Sequence, residues 1–312
     1  MSGRVVILGI YVTDLTFRAA RMPLIGETVL GSAFTMGPGG KGSNQAVAAA
    51  RCGADVIFCT RLGNDAFGAI ARSTWAAEGI TARSSVVDGV STGAAHIFID
   101  EVTGGNAIIV AAGAAGTMDA SDADAIEADI AAAQVFVTQL EQPLPAARRG
   151  LELARRYGVT TIFNPAPAQS LDDDIFALCD YVTPNETEVT ALTGVPIGPA
   201  TPTEDARRAA DVLLAKGARA VIVTLGEAGA LLHSASESVF VPAFRCGKVV
   251  DTAGAGDGFT GGLAAAIARG DTALDAMHFA CAVAGLSVTR RGTAPSMPTL
   301  ADVTQVLNVA EH

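Results

Sequence analysis

Between Asp251 and Leu263 the chain reads Asp-Thr-Ala-Gly-Ala-Gly-Asp-Gly-Phe-Thr-Gly-Gly-Leu, which sets a carboxylate, Asp257, behind a small-residue turn as a helical pattern begins. Helix N-termini leave their first amide N–H groups unpaired and carry partial positive charge, so a turn of Ala253, Gly254, Ala255 and Gly256 can close its donors around an anion. Asp257 then stands where an attacking hydroxyl would arrive and could accept its proton. A second cluster, Gly37-Pro38-Gly39-Gly40-Lys41-Gly42-Ser43-Asn44, runs straight into a short helical pattern that stops at Gly53. It is not a P-loop, because that motif needs glycine where Thr35 stands and serine or threonine where Gly42 stands. It lets backbone approach a small polar ligand closely, with Asn44 offering both donors and acceptors. Nor is the stretch 254–258 a dinucleotide fingerprint, since Phe259 replaces its last glycine and no acidic ribose clamp follows on a later strand.

Such residues need a frame. Short β-branched runs alternate with alanine-rich helical patterns at 5–8, 43–52, 56–59, 66–78, 135–139, 145–157, 160–164, 172–178, 181–183, 186–193, 204–216, 221–224, 256–268 and 272–289. That order predicts an α/β domain, a parallel sheet with crossover helices. Two regions break the alternation, 11–37 and 84–112, and read as extended; 92–100 and 107–111 flank a Gly104-Gly105-Asn106 turn as a hairpin. Together they predict a small β lid over the main domain. Trp75 falls on a helical pattern and is expected in the core, and His96 in the lid hairpin is expected to be structural rather than to face substrate.

At 312 residues the chain can bury a large core, and a net charge of −11 argues against a general basic surface for nucleic acid or anionic membrane. An anionic ligand therefore needs a local site. The five cysteines, at 52, 59, 179, 246 and 281, are scattered and form no C-x-x-C pair, which fits reduced thiols in the cytoplasm. The apolar N-terminal run is too short for a signal peptide, and no uninterrupted segment reaches transmembrane length.

The two glycine-rich loops and the carboxylate, in this order, resemble the PfkB, or ribokinase-like, carbohydrate kinase family. Gly39-Gly40-Lys41-Gly42-Ser43-Asn44-Gln45-Ala46 is similar to the family's N-terminal signature and 251–259 to its C-terminal one. Between them, Leu140-Glu141-Gln142-Pro143, Asn164-Pro165-Ala166-Pro167-Ala168, Thr183-Pro184-Asn185-Glu186-Thr187-Glu188 and Thr224-Leu225-Gly226-Glu227-Ala228-Gly229 resemble its internal blocks. The resemblance spans the whole chain. It implies a single Rossmann-like domain with a β lid that transfers the γ-phosphoryl group of ATP to a hydroxymethyl group of a small sugar, ribose first.

On that resemblance Asp257 is the base, with Gly254, Ala255 and Gly256 as anion hole. Asp14, Gly39, Gly40, Lys41, Asn44 and Glu141, with Asp257, hold the sugar, and Asn185, Thr224, Gly226, Gly229 and Gly256 meet the nucleotide. Asn185 and Glu188 would arrange magnesium through its waters, although alone they read equally as a helix-capping pair. A monovalent cation, potassium, would take oxygens from Asp251, Ala253, Ser287, Arg290, Gly292 and Ser296; the bare alternative for 287–296 is a basic turn after a core helix. The resemblance also implies a homodimer paired through the lids, whose apolar strand faces and edges need cover.

The match departs at the end of the first strand. The family's ribose-specific members carry Asn-x-Asp there, and this chain has Val12-Thr13-Asp14. Val12 cannot hydrogen-bond, and a polyol hydroxyl buried without a partner costs about 1–3 kcal/mol. A nucleoside or another sugar or sugar acid therefore stays open as acceptor, as does a non-catalytic sugar or nucleotide sensor, against which the retained Asp257 and its turn speak.

Overall fold

The structure, a computed structural model, describes residues 3–310. Its strands are β1 (Arg4–Leu8), β2 (Val12–Ala19), β3 (Ala33–Gly39), β4 (Asp55–Leu62), β5 (Thr81–Val86), β6 (Thr92–Asp100), β7 (Asn106–Gly113), β8 (Val135–Thr138), β9 (Thr160–Phe163), β10 (Tyr181–Val182), β11 (Ala220–Thr224), β12 (Gly229–Ser234) and β13 (Ser238–Pro242). The helices are α1 (Lys41–Arg51), α2 (Ala66–Ala77), α3 (Ala120–Ala125), α4 (Glu127–Ala131), α5 (Leu144–Arg156), α6 (Glu186–Thr193), α7 (Pro202–Ala215), α8 (Ala255–Arg269), α9 (Ala273–Ser287) and α10 (Leu300–Ala310).

Val5, Val6, Ile7 and Leu8 of β1 are all fully buried. A strand apolar on both faces belongs in the middle of a parallel sheet covered by helices. It lies there, between β8 and β4, in a nine-stranded sheet ordered β13-β12-β11-β10-β9-β8-β1-β4-β5. The chain leaves β1 toward one edge through β4 and returns to its other side through β8. The crevice at the carboxyl ends of β1 and β8 is thus the switch point where open α/β sheets bind ligands.

The sheet departs from the sequence expectation at both edges. β12 and β13 run antiparallel, because the three residues 235–237 between them allow a hairpin and no crossover. At the other edge β5 pairs with β4, so residues 84–86 belong to the main sheet and not to the lid; their polar, half-exposed sequence hides an edge strand. Residues Asp173–Leu178 form a 3-10 helix, and α3, α4 and α10 lie where no helix was expected.

The lid is a separate sheet, β3-β2-β6-β7. Strand pleating puts Val12 and Asp14 on one face and Leu15 and Phe17 on the other. His96 pairs across from Leu15 and stacks on Phe17 at 5.5 Å, so it faces away from Asp14. Trp75 is fully buried, donates to Ser43 Oγ at 2.9 Å and meets Tyr11 and Phe58 edge-on, a core role as expected. Among the described residues no helix is long and apolar enough to cross a membrane.

Candidate active site

α8 starts where it does because Gly254 caps it in the left-handed region, at φ 77°, and no side chain bonds its first-turn amides. A Cβ on Gly256 would meet nothing within 4 Å, so this turn opens onto free space. Three residues in, Asp257 is only 5% exposed. Its Oδ2 accepts from Asn44 Nδ2 at 3.0 Å and its Oδ1 from Gln45 Nε2 at 3.2 Å, while Lys41 Nζ stands 3.9 Å from Oδ1.

These partners arrive on α1, and glycines let the backbones close up. A Cβ on Gly261 of α8 would sit 2.5 Å from the Gln45 carbonyl oxygen, and one on Gly42 would sit 2.8 Å from the Gly9 Cα just past β1. Any side chain at either position would push α1, and with it Asn44 and Gln45, away from Asp257.

Asp14 reaches the same crevice from the lid. Its carboxylate lies against Gly39, where a Cβ would collide with it, and Thr293 Oγ shares its proton between Asp14 Oδ2 at 3.2 Å and the Pro38 carbonyl at 3.0 Å. Gly40 turns the chain at φ 86°, with its Cβ position 2.7 Å from the Ile10 carbonyl. The Lys41 N–H donates to Glu141 Oε2 at 2.7 Å. Burial, against the Thr293 bond and with Asp257's charge adding, pushes the Asp14 carboxyl up to about 6. Burial likewise pushes Glu141 up to about 7, against the pull of Lys41. Lys41 is held above the usual lysine range, chiefly by Asp257. The crevice thus gathers acceptors suited to a polyhydroxy ligand around one ammonium group.

Asn185 and Glu188 form a capping box on α6: Asn185 Oδ1 accepts from the Glu188 N–H and Glu188 Oε2 from the Asn185 N–H, each at 2.9 Å. Burial raises the Glu188 carboxyl. The Thr224 N–H donates to the Pro184 carbonyl at 3.0 Å, which locks the end of β11 beside that box. Gly226 (φ 51°) and Gly229 (φ 131°) carry the turn that follows. Farther along, Asp251 accepts from the N–H groups of Ala253 and Gly292, both at 3.0 Å, and so ties the α8 turn to the 287–296 loop. Ser287 and Ser296 donate their hydroxyl protons to the Ala284 and Thr293 carbonyls, and Arg290 pairs with Asp302 at 3.1 Å. No group of three or more His, Cys, Asp or Glu side chains able to hold a metal occurs among the described residues.

Four residues of the site, Thr293, Gln45, Asn164 and Gln139, carry no role that sequence reasoning assigns. Thr293 joins Asp14 to the loop after α9 from 279 positions away, a contact no local pattern encodes. Gln45 follows Asn44 in the glycine-rich block, but glutamine is an ordinary helix former and its burial is not visible in sequence.

A parallel sheet with a ligand crevice at its switch point, and a carboxylate beside uncovered amides, is the frame of an enzyme that moves a phosphoryl group. Residues 2–300 match the pfkB family of carbohydrate kinases. The chain is 39% identical to the ribokinase of Schizosaccharomyces pombe over 317 residues, covering 99% of each protein. It is 36% identical to the deoxyribokinase of Salmonella typhi, covering 98% of this chain and 99% of that one. The structure of Arabidopsis thaliana ribokinase complexed with ribose and ATP superposes with a TM-score of 0.87 at 28% identity, covering 98% and 99% of the two chains. The chain belongs to the pfkB family and is an ATP-dependent sugar kinase of Rossmann-like α/β fold.

Proposed function

We propose that this kinase phosphorylates the hydroxymethyl group of a pentose, ribose first, with Asp257 as base. The observation that carries the reading is the Asp257 carboxylate, buried, held on both oxygens by α1 and set in the first turn of a helix whose N-terminal amides no side chain caps. The sugar hydroxyl gives its proton to Asp257 as its oxygen bonds to the γ-phosphorus, and the bond to the β–γ bridging oxygen breaks to release ADP. Phosphoryl transfer asks mainly for positioning and for donors near the developing charge, which the amides of Gly254, Ala255 and Gly256 would supply. Asp14, Asn44 and Glu141 would accept and donate to sugar hydroxyls, with Gly39, Gly40 and Lys41 closing around them.

Thr224, Gly226 and Gly229 would line the nucleotide with Asn185. The donor chemistry of Asn185 and Glu188 suits magnesium, a hard cation that keeps several waters; bound there, it would neutralise phosphate charge. The Asp251 tether supports a potassium site drawing oxygens from Asp251, Ala253, Ser287, Arg290, Gly292 and Ser296. The lid's exposed Phe17, Phe34, Met36 and Ile109 favour a homodimer paired through the lids. Cytoplasmic work is consistent with five free cysteines, of which all but Cys246 are buried.

A second acceptor is favoured by one residue. Val12 is 2% exposed, lies two positions from Asp14 on the same lid face and offers no hydrogen bond. A 2-deoxypentose, which presents a methylene where ribose presents a hydroxyl, leaves fewer groups to satisfy there. An ADP-release assay over ribose, 2-deoxyribose, hexoses, sugar acids and nucleosides tests both: a pentose should rank first in kcat/KM, and a nucleoside in that place would overturn the proposal.

A further inference from the structure

We infer that Gln45 is a positioning residue for the reaction, fixing the Asp257 carboxylate through a buried chain of side-chain amides; this rests on Asp257 being the base. Gln45 is fully buried, and a buried amide is costly unless each of its atoms is satisfied. Here the satisfaction is directional. Nε2 donates to Asp257 Oδ1 and to Asn164 Oδ1, both at 3.2 Å, while Oε1 accepts from Gln139 Nε2 at 2.5 Å.

The amide cannot turn over. Asn164 Nδ2 donates to the Thr183 carbonyl at 2.8 Å, which leaves Asn164 Oδ1 as the atom facing Gln45. A flipped Gln45 would set its oxygen against two acceptor oxygens, Asp257 Oδ1 and Asn164 Oδ1. Asn164 and Gln139 stand just past the carboxyl ends of β9 and β8, so the chain anchors Asp257 to central strands of the main sheet. Its far end, Thr183, directly precedes Pro184 and Asn185. The base and the α6 capping box are therefore held in one frame by three side chains that need touch neither substrate.

Asn44 also bonds Asp257, but its Oδ1 has no partner, and on the proposed function it serves the sugar as well. When Asn44 turns to a sugar hydroxyl, Gln45 remains as the tether. Shape alone does not call for an amide here; Gln45 is tied to its place by the bonds it makes with Asp257, Asn164 and Gln139.

The test is Gln45→Met, close in volume and without donors. We expect kcat to fall about 10–100-fold with KM for sugar and for ATP within about twofold, because misaligning a base acts on turnover and not on binding. Gln139→Met, which frees Gln45 Oε1 and leaves both donor bonds, should lower kcat only about threefold. A purely structural glutamine would give a lower Tm with kcat unchanged well below it, and that result overturns the inference. Should Gln45→Met not accumulate folded, Asn164→Ser with Gln139→Met carries the same reading: loss in kcat alone supports it, loss in Tm alone refutes it. Asp257→Asn separates the two claims. An active Asp257→Asn removes the base itself, whereas an inactive Asp257→Asn with an active Gln45→Met removes only the positioning role.

Discussion

The crevice floor and the lid border one crevice but are built in opposite ways. Around Asp257 the side chains are buried, the backbones of α1 and α8 touch through Gly261, and each carboxylate oxygen has a partner. On the lid, Phe34, Met36 and Ile109 are about half exposed or more, and Asp14 holds its place through a threonine on another element. Close packing leaves discrete arrangements and little give, which suits a group that must align with a phosphorus atom. A thin sheet with open apolar faces has little to fix it until something covers it, which suits a part that must admit and then enclose a sugar. Chemistry should therefore fail when the floor is altered, and binding, selectivity or assembly when the lid is altered.

The largest effect falls on the floor. Asp257→Asn keeps the shape and the two amide neighbours but has no base, so kcat should drop about a thousandfold or more with ATP still bound, read by steady-state kinetics and nucleotide titration. Gly39→Ala disturbs the border, because a methyl group there strikes the Asp14 carboxylate. Sugar KM should rise about tenfold or more with a smaller change in kcat, and an unchanged KM would separate Asp14 from the sugar.

Val12→Asn acts within the lid. It places a donor and an acceptor beside Asp14 and should raise kcat/KM for ribose relative to 2-deoxyribose about tenfold, the scale of one recovered hydrogen bond. If wild type already uses ribose efficiently and the substitution leaves it unchanged or worse, Val12 does not face the sugar. Acidity tests both regions at once. Asp14 and Glu141 titrate near 6 and 7 when folded, above ordinary carboxyls, so each takes up its proton more readily folded than unfolded. Their contribution to stability falls as pH rises through that range and is regained on acidification, whereas acceptance of sugar hydroxyls is lost on acidification. Sugar affinity should weaken severalfold from about pH 8 to about pH 5.5, and Glu141→Gln should flatten that dependence. The smallest effect on chemistry belongs to Ile109→Lys, which puts charge on the exposed lid face: light scattering at about micromolar protein should shift from dimer toward monomer. A wild-type monomer under the same conditions would refute pairing through the lid.

The legible parts of the molecule were those with local signals. The β1 run, the Gly254 turn with Asp257, and Asn44 beside Gly40 all announce themselves by periodicity or by glycine spacing, and the structure gathers them in one crevice. Trp75 was placed in the core by its helical pattern alone. What stayed hidden was set by tertiary pairing. β5 is polar because it is an edge, and β12 with β13 is antiparallel because its connection is short, features that alternation of strand and helix does not carry. Gln45, Asn164 and Thr293 act through partners 19 to 279 positions away, and although Gln45 and Asn164 fall in the family's blocks, nothing local shows which atoms they meet.

The claim on which the rest depends is that the floor transfers phosphate from ATP to a sugar hydroxymethyl group, and 31P NMR of the product reports it directly. With ATP, magnesium and ribose, the account predicts one new phosphomonoester on the terminal carbon, coupled to its two protons, growing as ADP grows and absent with Asp257→Asn. ADP formed without a sugar phosphomonoester, or a phosphate carried on a ring hydroxyl, would contradict it.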